Sequence, residues 1–137
     1  MSVKKEMVLY YCPEKDSQKG NDSRIARLKA VLVRMGIRIK NITPDQAGQT
    51  VGYLAGIEGF EEQPSAEYPL VEEEILVMKN FSSKKIDELL MNLRRSGVSK
   101  IALKADITDT NSKWSFYELY QELKKEHETM SGREEES

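Results

Sequence analysis

Four short apolar runs, three amphipathic helical runs and one glycine-rich helical run predict an α+β fold. The character of the strands refines it. The first and third runs are apolar on both faces, as central strands are. The second and fourth alternate, as edge strands do. That pattern fits a ferredoxin-like βαββαβ sheet, with an inserted helix after strand two and an added C-terminal helix. The alternative is a small parallel α/β three-layer sheet in which the inserted helix is a crossover. One domain spans residues 1–127, and the charged, apolar-poor stretch 128–137 is predicted to be disordered.

The elements follow in order. Residues 7–11 (Met-Val-Leu-Tyr-Tyr) are the first strand, ended by Cys12-Pro13. The polar stretch 14–22 holds the breakers Gly20 and Asn21, and Asp22 or Ser23 caps the next helix. Ile25, Leu28, Leu32 and Met35 recur at helical spacing, and Gly36 stands where a left-handed residue stops a helix. Residues 37–42 alternate, with Arg38 and Lys40 on the face opposite the isoleucines. Thr43-Pro44-Asp45-Gln46 is a helix start: a Thr cap, Pro at the first position and Gln to close the capping box. A helix over 44–55 follows, then a loop of about fifteen residues, a length often functional.

Residues 74–78 form the third strand. Ser82 or Ser83 caps a helix striped by Ile86, Leu89, Leu90 and Leu93 and ended by Gly97. Its first turn carries Lys84 and Lys85, the wrong sign for the helix dipole. Residues 100–107 alternate as the fourth strand, with Ile101, Leu103, Ala105 and Ile107 on one face and Lys104 and Asp106 on the other. Ser115 and Glu118 form a capping box for the last helix, with Trp114 and Leu119 placed for a hydrophobic staple.

Composition narrows the function classes. Twenty-one Lys and Arg balance 23 Asp and Glu, leaving a net charge of −2 and no broad excess of base for nucleic acid. No run approaches the roughly 20 apolar residues of a membrane span, and the N-terminal apolar run is too short for a signal peptide. One cysteine, Cys12, excludes an internal disulfide and suits a reducing, cytoplasmic location. No metal-ligand spacing and no cofactor signature appears. There is no GxxxxGK[ST] loop, and the only His, His127, sits among charged residues of the last helix.

Two motifs carry the functional expectation. Gly48, Gly52 and Gly56 fall four apart within the predicted helix, so they share one face. Glycine costs roughly 0.5–1 kcal/mol at an interior helical position, so a bare face implies close approach of a backbone or a ligand. Tyr53 stands beside it as a hydrogen-bonding aromatic. The second motif is the loop 104–114 after strand four, with Lys104, Asp106, Thr108, Thr110, Asn111 and Trp114. Strand ends feeding polar loops commonly hold ligands in such folds. A plainer reading has Thr110 and Asn111 organising a turn, Trp114 stapling the last helix, Lys104 and Asp106 lying on a solvated strand face, and Gly56 serving only as a C-cap.

The stretches 48–60 and 103–127 together resemble a bacterial family catalogued as domain of unknown function 3783, over roughly residues 7–127. The resemblance implies a small cytoplasmic stand-alone protein and carries no activity, substrate or cofactor. The expectation is therefore a ligand-binding or interaction module, for a small molecule or a protein partner, using the glycine helix and the 104–114 loop, and allowing a homodimer. The alternative is a small enzyme with acid–base chemistry at Lys104 and Asp106.

Overall fold

The computed structural model describes residues 6–13, 22–64, 66–98, 101 and 103–136. The strands are β1 (Met7–Tyr11), β2 (Arg38–Asn41), β3 (Ile75–Lys79) and β4 (Leu103–Asp106). The helices are α1 (Asp22–Arg34), α2 (Val51–Leu54), α3 (Ser83–Arg95) and α4 (Phe116–Glu136), with 3-10 turns at Pro44–Gln46 and Asn111–Lys113. The polar stretch 14–21 lies outside the described residues, as do Lys100 and Ala102 of the expected fourth strand.

The fold is α+β, built on one mixed sheet of order β2-β1-β3-β4. β1 and β2 are parallel, β3 and β4 are parallel, and β1 and β3 pair antiparallel over five residues, from Met7 opposite Lys79 to Tyr11 opposite Ile75. The apolar strands are central and the alternating ones are edges, as the burial pattern requires. The ferredoxin-like order is corrected. A split βαβ unit has an antiparallel strand between its two parallel strands. Here each unit keeps its own two strands adjacent, so the edges are exchanged. Strand directions and the central pair are the same in both arrangements, so burial patterns cannot separate them. The all-parallel alternative fails at the β1–β3 pairing, though helices do cover both faces.

Each face has its own core. Val8, Tyr10, Leu76 and Met78 face α1 and α3, meeting Leu28, Leu32, Leu89 and Leu93. Leu9, Tyr11, Ile75, Val77 and Leu103 face α2 and α4, meeting Val51, Leu54, Phe116 and Leu119. Ile101 belongs to the first of these cores and not with Leu103 and Ala105, because the strand begins only at Leu103. Helix α4 continues to Glu136, through the stretch for which composition predicts disorder. Glu128, Arg133, Glu134, Glu135 and Glu136 are good helix formers and extend a helix that tertiary contacts have already nucleated.

Local signals set the helix ends. Ser82 Oγ accepts from Lys85 N at 3.1 Å and Ser115 Oγ from Glu118 N at 3.1 Å, the two predicted caps. At the other end of α1, Gly36 N reaches Val33 O at 3.0 Å and Ile37 N reaches Leu32 O at 2.9 Å, with Gly36 at φ +72°. That is a Schellman motif, closed by the apolar Ile37. The charge misfit at the start of α3 is half explained: Lys85 Nζ reaches back to Met35 O, just past the end of α1, at 3.5 Å.

One polar cluster ties the layers at the carboxyl end of β1. The Arg24 guanidinium forks onto Glu74, with Nη1 to Oε2 at 2.7 Å and Nη2 to Oε1 at 2.9 Å. The Tyr10 hydroxyl donates to the same carboxylate. Burial first, then the Glu74 carboxylate, pushes the Tyr10 phenol above its ordinary value, and the same carboxylate raises Arg24. A phenol raised in the folded state contributes stability that is complete below its unfolded pKa, about 10, and is lost as pH rises above it. Thermal stability is therefore predicted to fall above about pH 10 more steeply in the wild type than in Tyr10→Phe. Melting curves that stay parallel with pH would contradict this.

Candidate functional site

The predicted glycine helix does not form as one piece. The capping box is real, since Gln46 Oε1 accepts from Thr43 N at 2.9 Å. Yet it starts only the three-residue turn Pro44–Gln46. A second cap follows, with Thr50 Oγ1 accepting from Tyr53 N at 3.2 Å to start the single turn α2. The reason lies in the approach to α4. In a continuous helix Val51 N would bond to Ala47 O. Instead Val51 N donates to Trp114 O at 2.8 Å, and Ala47 O accepts from Tyr117 N at 3.0 Å. Phe116 N takes Gln49 O at 2.9 Å, and Thr50 bridges Ser115. The two sequence motifs thus meet by backbone pairing.

The three glycines therefore do three different things. A Cβ on Gly52 would stand 2.6 Å from the Phe60 ring, and one on Gly48 would stand 2.6 Å from Tyr68 Cε2. Two aromatics of the following loop thus sit on bare backbone, and the close approach comes from the chain itself. Gln49 reinforces them by holding the Gln63 backbone at both ends, at 2.7 Å and 3.0 Å. Gly56, at φ +72°, is a C-cap: its N–H reaches Tyr53 O at 3.0 Å, and Ile57 N reaches Gly52 O at 2.9 Å. Two lysines complete that helix end, with Lys40 Nζ on Leu54 O at 2.9 Å and Lys79 Nζ on Ala55 O at 3.0 Å.

The loop after β4 is equally well organised. Asn111 is buried and donates through Nδ2 to Asp106 O at 2.9 Å, while its Oδ1 accepts from Thr108 N at 2.8 Å. Thr108 Oγ1 in turn accepts from Asn111 N at 3.1 Å. Asn111 with Thr108 makes the turn, and Thr110 stands exposed at its edge. Trp114 is half-buried against the α2–α4 core. Lys104 and Asp106 alternate with the core residues Leu103 and Ala105, so they lie on the other face of the sheet, and Lys104 Nζ donates to Ile101 O.

Between these two braced segments an open cleft of about 820 Å³ lies at the carboxyl ends of β3 and β4. Ile57, Phe60 and Ile107 are its apolar walls, and Glu58, Asp109 and Lys113 bring charge. Of the predicted residues only Gly56 and Thr108 line it. Tyr53 lines a separate depression of about 550 Å³ with Gln49 and Gln63. Sequence reasoning missed Lys79, Asn80, Asp109, Ser112 and Lys113. Lys79-Asn80 ends strand three just as 107–113 ends strand four, and Asn80 stands at φ +65°, unusual for a residue with a side chain. Among the described residues no group of three or more His, Cys, Asp or Glu could hold a metal ion. No helix there is long and apolar enough to cross a membrane.

Residues 74–130 match the model of a family described as "Domain of unknown function (DUF3783)". The match covers β3, α3, β4 and most of α4 and contains the 103–127 motif; the 48–60 motif precedes it. No curated protein and no solved structure matches the chain.

The glycine seats make a prediction whose sign changes with background. Gly52→Ala is expected to destabilise by about 1 kcal/mol because the Phe60 ring must leave. In a Phe60→Ala background the same change is expected to stabilise by about 0.5 kcal/mol, through helix propensity alone. Denaturant unfolding of the four proteins checks it, and equal costs in both backgrounds would refute the seat.

Proposed function

We propose that the protein is a small-molecule binding module and that the cleft at the carboxyl ends of β3 and β4 is its site. The observation that carries this reading is the bracing of both walls. One wall is the capped turn at Gly56, held by Lys79. The other is the reciprocal Thr108–Asn111 turn, closed by Ser112 Oγ on Asp109 O at 3.1 Å. Backbone fixed on both sides is preorganised, which lowers the ordering cost of binding. The volume falls in the range of about 300–1,000 Å³ usual for ligand sites. Ligands of α/β-type sheets gather outside carboxyl strand ends.

The lining indicates the ligand's chemistry. Lys113 faces an anionic group, Glu58 or Asp109 faces a cationic one, and Ile57, Phe60 and Ile107 meet an apolar edge. A polar metabolite carrying both charges, of the size of an amino acid or a nucleotide, answers that description. Catalysis at Lys104 and Asp106 has no support from position, since both lie on the opposite face of the sheet. The strongly shifted phenol of Tyr10 also lies away from the cleft, on the α1–α3 side.

A thermal-shift screen against amino acids, nucleotides, nucleotide cofactors, sugar phosphates and divalent metals tests the reading. A ligand at about a hundred times its dissociation constant adds about 2.7 kcal/mol, a shift of several degrees at this size. The expected result is a hit that disappears in Asp109→Ala/Lys113→Ala while the unliganded melting point holds, because both side chains are exposed. A hit that persists in that variant, or no hit across the panel, would contradict the site.

A further inference from the structure

The near-zero net charge hides a separation of charge across the sheet. Among the described residues, α1 carries Arg24, Arg27, Lys29 and Arg34 against Asp22, and α3 carries Lys84, Lys85, Arg94 and Arg95 against Asp87 and Glu88. The loop on the opposite layer carries Glu58, Glu61, Glu62, Glu67, Glu72 and Glu73 and no Lys or Arg. That loop is held on the α2–α4 side by Phe60 on Gly52, Tyr68 on Gly48 and buried Val71. The two faces are thus opposite in sign and on opposite sides of the molecule.

Each face also exposes large apolar side chains. Val33 on α1 is 70% exposed and Met91 on α3 is 49% exposed, among the arginines. Leu70 is 63% exposed and Tyr68 is 41% exposed, among the glutamates. Exposed apolar side chains on a charged face, with Arg, Met and Tyr among them, are the composition of protein–protein surfaces. A nucleic-acid face would want uninterrupted positive charge, and Asp87 and Glu88 break it. Lys84 adds a second indication. It stands exposed in the first turn of α3, where the dipole disfavours it and nothing in the stability of α3 accounts for it.

We propose that the α1–α3 face docks the acidic 58–73 loop of a second copy of this chain. The docked surfaces differ, so the contact is head-to-tail and does not close at two copies. Rim charges set its strength, so it weakens as salt screens them.

Sedimentation velocity on the full chain tests the proposal. Average mass is expected to rise with protein concentration at about 0.02 M salt and to return to monomer at about 0.5 M salt. Lys84→Glu/Arg94→Glu removes most of the net positive charge of the α1–α3 face, and Glu62→Lys/Glu67→Lys removes most of the net negative charge of the loop, so only a mixture of the two pairs an intact face with an intact loop. The first pair suits the helix dipole at one end and opposes it at the other, so the fold should hold, as circular dichroism would verify. Each variant alone is expected to stay monomeric, and mixing the two is expected to restore association. A monomer at every concentration and salt would overturn the proposal. So would association that survives in either variant alone, or a monomeric wild type that binds an oligonucleotide through this face.

Discussion

The antiparallel pairing of β1 with β3 is the contact on which the rest of the structure depends. It joins two βαβ units, each of which would otherwise leave its most apolar strand half unpaired. The paired residues are nearly all buried, and they alternate between the two cores. A parallel pair buried on one side only is a poor structure alone, since parallel sheets are stable when covered on both faces. Joining the units at their apolar strands puts β1 and β3 in the centre and leaves the short, charged strands β2 and β4 as edges, where lysine discourages further pairing. The Arg24–Glu74–Tyr10 cluster fastens the same junction at its polar end, since Arg24 and Tyr10 come from one unit and Glu74 from the entry to the other.

Much of this was legible in the residues, because burial is written in periodicity. The central and edge roles of the strands, the Ser82 and Ser115 caps and the glycine stops at Gly36 and Gly97 follow from patterns a few residues long. Strand order was not legible, since adjacent and split βαβ arrangements use the same central pair. The glycine helix misled for a different reason. Thr43, Pro44 and Gln46 announce a helix start, but the hydrogen bonds that a helix needs at Ala47 and Val51 are taken by Tyr117 and Trp114, more than sixty residues on. Local propensity lost to a tertiary pairing that no window along the chain contains.

The same distinction explains the site. Glycines at helical spacing suggested a bare face for a ligand, and the neighbours that need the space are Phe60 and Tyr68 of the same chain. The polar residues after strand four were recognisable as a loop of interest, yet Asn111 and Thr108 serve chiefly to hold each other and the strand end. What remains open to a ligand is the space those braced turns leave between them. Its lining comes from residues such as Lys79, Asn80 and Lys113, which have no motif of their own. The matched segment 74–130 supplies Lys79, Asn80 and the lining from Ile107 to Lys113, and the Gly56–Phe60 turn supplies the other wall from outside it.

The claim that β1–β3 pairing makes one structure of two units is tested most directly by native-state hydrogen exchange. The slowest amides are predicted to lie in both β1 and β3 and to share a single opening free energy, with β2 and β4 exchanging through smaller openings. Two groups of slow amides with separate opening free energies, one for β1–α1–β2 and one for β3–α3–β4, would show the units to be independent and contradict the claim.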